Sequence, residues 1–528
     1  MKAALANLLW LATSARAARN FQRAASRVAE TQSNLLQTYL ANNRETAYLA
    51  SHAPITNVQS LPLTTYDDYL PYIERIANGE RDVLTHEPVL LFEPSSGSTA
   101  ASKLIPYTRA LKSEFARGLA AWIHDLYRRY PTLVGGPAYW SISPLTEGHR
   151  HTPAGIPIGF EEDSAYLGAF GAVIESALMA VPNGVKHIPD MAAFRYVTLL
   201  HLLGCADLRL ISVWNPTFLS LLLEPLAVWW DSLLRDIADG TCTPPGQSPL
   251  TNYQSPKNPR RARYLARLQP TDYAALWPRL ALISCWADGA SAPYARALQE
   301  KFPGVTFQPK GLLATEAFVS FPLTGQTGGA LAVTSHFFEF QSERGDILLA
   351  HQLQKGQRYA VIVTTGGGLY RYQLNDIVEV TGFYAQVPCF QFVGKADRVS
   401  DYFGEKLNEQ FVAQVLQAVL AKYNLQPVFF MLAPEAGPPF RYCLYLELPP
   451  GSLLPADLAD ELDTALRANF HYDYCRRLEQ LAGVAAQTVY NGSAVYIRAC
   501  QQRGQKLGNI KAAVLQKSTG WGQFFDPA

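Results

Sequence analysis

Glu93-Pro-Ser-Ser-Gly-Ser-Thr-Ala-Ala-Ser-Lys103 is the stretch on which the reading of this chain turns. Four hydroxyl side chains, Ser95, Ser96, Ser98 and Thr99, surround Gly97, whose missing Cβ lets backbone N–H groups approach an anion, and Lys103 ends the stretch with a mobile point charge. These are the groups a polyphosphate needs, so the stretch is a candidate ATP loop. The same composition also makes an ordinary solvated turn. It is not a Walker A loop, because the Gly-Lys-Ser/Thr ending is missing.

Two later segments agree with the nucleotide reading. Gly311-Leu-Leu-Ala-Thr-Glu316 follows the strand-like Val305-Thr-Phe307 and sets the Thr315 hydroxyl beside the Glu316 carboxylate, a pairing suited to Mg2+ and phosphate. Gly368-Leu-Tyr-Arg-Tyr-Gln-Leu-Asn-Asp376 then places Asp376 just before the alternating Ile377-Val-Glu-Val380, where a carboxylate can accept both ribose hydroxyls. Tyr370 or Tyr372 is a candidate for stacking on a base. Phe392-Val-Gly-Lys-Ala-Asp-Arg398 follows closely.

In that order, Ser-Ser-Gly-Ser-Thr with Lys103, Ala-Thr-Glu316, Tyr-Arg with Asp376, and Gly-Lys-Ala-Asp-Arg398 resemble the adenylate-forming superfamily of acyl-CoA synthetases, peptide-synthetase adenylation domains and luciferases. Lys103-Leu-Ile-Pro-Tyr-Thr108, Ser335-His-Phe-Phe-Glu-Phe340 and Gly368-Leu-Tyr-Arg-Tyr372 are most similar to one branch of it, the Gretchen Hagen type acyl acid amido synthetases. Glu30-Thr-Gln-Ser-Asn-Leu-Leu36 and Asn509-Ile-Lys511 extend the resemblance over nearly the whole chain.

The resemblance implies an α/β enzyme of the adenylate-forming fold, with a large N-terminal domain of layered β-sheets and helices over residues 1–397 and a smaller, mobile α+β domain over 398–528. It implies an ATP- and Mg2+-dependent ligase that adenylates a carboxylic acid and passes the acyl group to an amine, commonly that of an amino acid. Ser95, Ser96, Gly97, Ser98, Thr99, Lys103, Thr315, Glu316, Tyr370, Asp376, Lys395 and Arg398 would then contact the nucleotide, with Glu316 also near the metal and residues 395–398 in the hinge region. The catalytic lysine is Lys511 or Lys506: Asn509-Ile-Lys511 sits most like the family's Gln-aromatic-Lys, but Ala512-Ala-Val514 replaces the Thr-Pro-Arg of the plant enzymes. Ala100 also stands where relatives often have glycine. Two other readings compete, an acyl-CoA synthetase with a thiol acceptor and a nucleotide-binding protein that has lost catalysis.

Composition is that of a large soluble enzyme. With 528 residues, 48% of them hydrophobic, the chain can bury extensive cores in two or more domains. Lys plus Arg number 45 against 44 Asp plus Glu, so overall charge makes no case for nucleic acid or an anionic membrane as partner. The seven cysteines form no Cys-x-x-Cys pair, which points to reduced, buried thiols in a cytoplasmic protein rather than zinc ligands. The apolar residues 5–12 continue into an amphipathic pattern and predict a packed N-terminal helix; the leucine-rich 199–226 is broken by Asp207, Arg209 and Pro216, so no membrane insertion is expected.

Helix and strand signals alternate along the chain. Helices are predicted over residues 1–50, 110–130, 192–203, 218–237 and 293–301, with strands at 138–142, 208–213, 280–285 and 305–307, a pattern of parallel sheet layered with helices. Residues 345–382 read as strand-rich, and 241–263 as a surface loop. Beyond 398 the reading is helix 408–423, strands 428–432 and 442–447, helix 455–469 and strand 494–498. Arg371 reads equally as a structural clamp, Arg117 as a weak candidate for a carboxylate contact, and His149 with His151 as surface loop before metal pair.

Overall fold

Four short apolar strands, Ala138–Trp140, Leu210–Ser212, Leu282–Cys285 and Thr306–Pro309, lie side by side and all parallel. Each reaches the next through helical chain, as parallel pairing demands. The computed structural model describes residues 2–55, 57–94, 103–141, 150–159, 177–395, 399–505 and 510–525. The chain divides into two units, one of Met1–Ala287, Ala297–Leu374 and Val378–Phe392, the other of Asp288–Arg296, Asn375–Ile377 and Val393–Ala528.

In the first unit the parallel sheet shares a core with the helix Arg109–Arg129 through Leu210, Leu282, Trp122 and Ile123. The N-terminal helix Lys2–Ala24 packs by Trp10 and Phe21, and its buried Asn7 amide donates to the carbonyls of Leu133, Val134 and Gly136. A seven-stranded sheet runs in the order Ile347–Leu349, Phe337–Ser342, Arg358–Thr364, Tyr372–Tyr384, Val387–Lys395, Gly329–Leu331, Ser320–Pro322. Its Tyr372–Tyr384 strand alternates buried and half-exposed residues along most of its length, as one packed face requires. Arg371, just before that strand, donates two bonds to the buried Glu339 carboxylate (2.9 and 3.0 Å) and one to the Leu61 carbonyl, so it is a structural clamp.

The second unit has the strands Phe429–Glu435, Arg441–Glu447 and Ala485–Thr488, with the helices Glu409–Lys422 and Leu458–Leu466 packed on them by Val412, Leu416, Leu458 and Leu462. Asp463 is its polar hub. It accepts from the Tyr472 hydroxyl (2.7 Å), the Arg476 guanidinium (2.9 Å) and the Val484 N–H.

Three sequence expectations change. The helix over 218–237 is two, Pro216–Leu223 and Leu226–Asp239, bent by 67°, because Pro225 has no N–H to continue the ladder. Residues 494–498 form no strand but lie in the helix Gly492–Gln502, whose buried Tyr496, Ile497, Ala499 and Cys500 recur at helical spacing; the β-branched run misled the short window. Within the expected loop, Arg261 is buried on the helix Pro259–Leu265 and donates to the Leu203 and Leu276 carbonyls. Among the described residues no single helix is long and apolar enough to cross a membrane.

Burial opposes the Asp463 charge, but hydrogen bonds from Arg476 and Tyr472 outweigh it and hold the carboxyl below its usual range. Its contribution is therefore complete above the unfolded-state pKa and is lost as pH falls through the lower folded value. Asp463→Asn should cost about 2 kcal/mol at neutral pH and flatten the acid limb of stability below about pH 4. Urea denaturation from pH 3 to 7 checks both; an unchanged acid limb would assign the acid sensitivity elsewhere.

Candidate functional site

The strand Leu91–Pro94 pairs antiparallel with Leu104–Tyr107, Pro94 opposite Leu104, so the candidate ATP loop joins two neighbouring strand ends. Ser95, Ser96, Gly97, Ser98 and Thr99 lie outside the described residues, as do Arg398 and Lys506. Lys103, at the loop's exit, places its ammonium over the Tyr66 ring at 5.5 Å, and the Tyr66 hydroxyl accepts from the Leu104 N–H (2.8 Å).

Thr315 and Glu316 occupy the tip of a tight turn. The Ala314 N–H donates to the Ala317 carbonyl (3.0 Å), and Leu313 and Phe318 form an antiparallel bridge. Gly311 opens the segment where a Cβ would stand 2.1 Å from the Ser320 carbonyl oxygen, so only glycine fits there. The buried Tyr107 hydroxyl donates to the Thr315 carbonyl (2.6 Å), and the Tyr372 hydroxyl reaches Glu316 Oε1 at 3.4 Å.

A third tether comes from below. The Phe318 N–H donates to His336 Nε2 (3.0 Å), which makes Nε2 the acceptor and leaves Nδ1 to donate to Glu114 Oε2 (2.8 Å). Both Glu114 oxygens also accept from the Gly366 N–H (3.0 and 3.1 Å). A Cβ at Gly366 would sit 2.3 Å from Glu114 Oε1, so the close approach needs glycine. His336 and Glu114 are fully buried; the sequence reading quoted His336 only within a family-like string, gave it no role, and did not mark Glu114. Two polar residues, His336 and Glu339, inside the apolar Ser335-His-Phe-Phe-Glu-Phe340 were the available signal.

Two tyrosines differ from expectation. Tyr370 is wholly buried: its ring is stacked with Tyr48 at 5.4 Å, its hydroxyl donates to the Leu84 carbonyl, and its main chain exchanges hydrogen bonds with the Tyr69 hydroxyl. It is a core residue with no face for a base to stack on. Tyr372 is buried too, its ring 6.1 Å from that of Tyr69. Arg117 donates to the Thr334 and Ser335 carbonyls, which makes it a main-chain clamp rather than a free carboxylate contact.

Within the second unit, Asp376 is buried on the Tyr372–Tyr384 strand and pairs with Lys395 Nζ at 3.2 Å, so two of the predicted residues meet. Asp376 lies inside the strand, not before it. Lys511 is half-buried, and its carbonyl accepts from the Tyr496 hydroxyl (2.8 Å). Past it the chain is held along the Phe429–Glu435 strand, where the Leu432 N–H donates to the Val514 carbonyl and the Val514 N–H to Glu409. His151 is exposed, and His149 lies outside the described residues. No cluster of three or more His, Cys, Asp or Glu side chains suited to a metal occurs among the described residues.

Residues 17–307 match the GH3 family N-terminal domain, 329–395 the GH3 family central domain, and 410–520 the GH3 family C-terminal domain. The chain belongs to the GH3 family. A relative named a putative indole-3-acetic acid-amido synthetase GH3.9, from Arabidopsis thaliana, is 25% identical over 529 residues, covering 88% of this chain and 87% of its own. Another, the indole-3-acetic acid-amido synthetase GH3.3 of the same plant, is 24% identical over 83% of this chain and 81% of its own. The solved GH3.15 acyl acid amido synthetase with 2,4-DB superimposes at a TM-score of 0.82, with 20% identity, over 96% of this chain and 95% of that one. A 2-hydroxyisobutyryl-CoA ligase in its postadenylation state superimposes at 0.50, with 12% identity, over 93% and 88%. The GH3 chain thus has the fold of adenylate-forming enzymes.

In this GH3 protein, His336→Phe keeps most of the ring volume but leaves the Glu114 carboxylate and the Phe318 N–H buried with a partner removed. A destabilisation of about 3 kcal/mol is expected, with part of it recovered when Glu114→Met is added. Urea unfolding of the two single variants and the double variant gives the coupling energy. A loss below about 1 kcal/mol for His336→Phe would remove the pair from the framework.

Proposed function

We propose that this GH3 protein is an ATP-dependent ligase that activates a carboxylic acid as its acyl-adenylate and transfers the acyl group to an amine, the amine of an amino acid. The observation that carries the reading is the match of all three GH3 domains, in order, over residues 17–520. The relatives' names as amido synthetases point to the same acceptor class.

A carboxylate is a poor electrophile. In the first half-reaction an oxygen of the acid attacks the α-phosphorus of ATP as the bond to pyrophosphate breaks and its electron pair leaves with pyrophosphate. In the second, the amine attacks the acyl carbon, loses a proton, and AMP departs with the electron pair of the former mixed anhydride. Charge on the leaving group is the main obstacle, and preorganised donors are the largest single remedy. The loop hydroxyls of Ser95, Ser96, Ser98 and Thr99, the backbone at Gly97, and Lys103 take the phosphates in this reading. Thr315 and Glu316 are suited to hold their place beside them because their turn is tied by Tyr107, Tyr372 and His336.

Mg2+ is commonly held by one or two carboxylates together with substrate phosphates, and the Glu316 carboxylate, which takes a hydrogen bond from the Tyr372 hydroxyl, is the group of this turn that would hold it. When bound, the ion would supply positive charge to the departing pyrophosphate. Asp376 accepts the ribose hydroxyls, with Lys395 and Arg398 neutralising charge nearby. Lys511 serves adenylation only, and movement of residues 398–528 about the 395–398 region withdraws it before the amine enters.

Pyrophosphate release, screened over carboxylic acids with and without amino acids, tests the reading: release with some acid, and AMP release enhanced by an amino acid and not by a thiol, is the expected result. Asp376→Ala should weaken ATP binding by about 1–3 kcal/mol, measured by calorimetry; unchanged affinity removes the ribose role. Lys511→Ala should abolish adenylate formation while amide formation from a supplied acyl-adenylate persists, and Lys506→Ala should alter neither. The reverse pattern would transfer the role to Lys506.

A further inference from the structure

Lys310 is a buried lysine at the end of the first unit's parallel sheet that the mechanism above does not use. It follows the strand Thr306–Pro309 and stands five residues before Thr315. Its Nζ donates to Ser212 Oγ (2.7 Å) and lies over the rings of Trp214 (4.8 Å), Trp122 (4.9 Å) and Trp140 (5.6 Å). An ammonium has three donors, only one of these is used by an oxygen, and among the described residues no carboxylate faces it.

Two more polar atoms on the strands next to it have no partner among the described residues. Ser284 Oγ and Trp140 Nε1 are buried and bond to nothing among the described residues. Trp140, Ser212 and Ser284 are in register across three adjacent strands, so all three project from one face of the sheet at its carboxyl edge. That edge is where open parallel sheets bind their ligands. A cation with spare donors next to an orphaned hydroxyl and an orphaned indole N–H is costly as an empty core and complementary to an anion.

We propose that Lys310, with Ser284 and Trp140, receives the carboxylate of the acid substrate, and that the surrounding indoles select monocarboxylic acids with a flat apolar body. This rests on the ligase reading for the fate of the acid but not for its binding. Without a counter-ion, burial lowers the Lys310 ammonium to about 7. The only titratable group acting on it among the described residues is the Cys285 thiol, itself pushed up to about 12 by burial and so uncharged. A carboxylate needs the protonated form, so affinity should fall as pH rises above 7, by up to about tenfold per unit until the bound-state pKa is passed.

The test uses the full chain and titrates benzoate, phenylacetate and hexanoate, each against its uncharged amide, by calorimetry without ATP. Wild type should prefer at least one aromatic acid over its amide by about tenfold or more, and over hexanoate, with affinity falling from pH 7 to 9. Lys310→Met, an apolar replacement of similar length whose folding is checked by thermal unfolding, should erase the acid preference. Lys310→Arg should keep it and remove the pH dependence. In acid-dependent pyrophosphate exchange, Lys310→Met should raise KM for the acid about tenfold or more and leave KM for ATP unchanged. If no acid binds better than its amide, or a folded Lys310→Met binds acids as wild type does, the proposal is overturned. If acids bind through Lys310 but none supports exchange, the site stands and the ligase reading falls; if exchange proceeds with an unchanged acid KM in Lys310→Met, the ligase reading stands and the site falls.

Discussion

The Glu114 carboxylate has to be satisfied inside the protein, and the way it is satisfied organises the first unit. It lies at the buried face of the helix that follows the candidate ATP loop, takes a hydrogen bond from His336 and a bifurcated one from the Gly366 N–H, and through His336 reaches the main chain two residues past Glu316. Four pieces of chain, at Glu114, Phe318, His336 and Gly366, are thereby held in one place. The tautomer of His336 follows from the same network, since a backbone N–H can only donate. Because every member is buried and paired, the turn carrying Thr315 and Glu316 is held by bonds of defined direction rather than by apolar contact alone.

Buried charge in this unit is of two kinds. Arg371 and Glu339 face each other in a bidentate pair with a further carbonyl acceptor, and Arg261 and Arg117 spend their donors on main-chain carbonyls. Those cations are architectural. Lys310 is different: among the described residues its ammonium bonds to one hydroxyl and lies over three indole faces, with no carboxylate against it. Cation–π contact stabilises an ammonium by far less than burial costs it, so such a group is poised to gain from an anion.

The two ends of the proposed chemistry are set on different frameworks. Thr315 and Glu316 hang from a turn next to the carboxyl edge of the parallel sheet, while Asp376 and Lys395 form an ion pair on long antiparallel strands. Strands of that length, paired on both sides, position a carboxylate with little freedom, which suits recognition of a fixed sugar. A short turn tied by hydroxyls can adjust by fractions of an ångström, which suits phosphate chemistry.

Much was legible in the sequence. The alternation of helix and strand, the β-α-β unit over 280–307 and the strand-rich 345–382 were all readable, because apolar periodicity is a local property of the chain. The family was legible too, since motifs such as Ala-Thr-Glu316 and Gly-Lys-Ala-Asp-Arg398 are short strings that stand in order along the chain. Local windows failed where a single residue or a wider face decided the matter, at Pro225 and in the helix Gly492–Gln502. They failed also at Tyr370, whose motif position says nothing about which way a ring turns. By itself the sequence determined the class of fold, the family and the string of polar residues suited to a nucleotide. Only tertiary structure decided that Tyr370 is core, that Arg117 and Arg371 are clamps, and that Glu114, His336 and Gly366 form one network, because burial and hydrogen-bond partnership are set by residues hundreds of positions away.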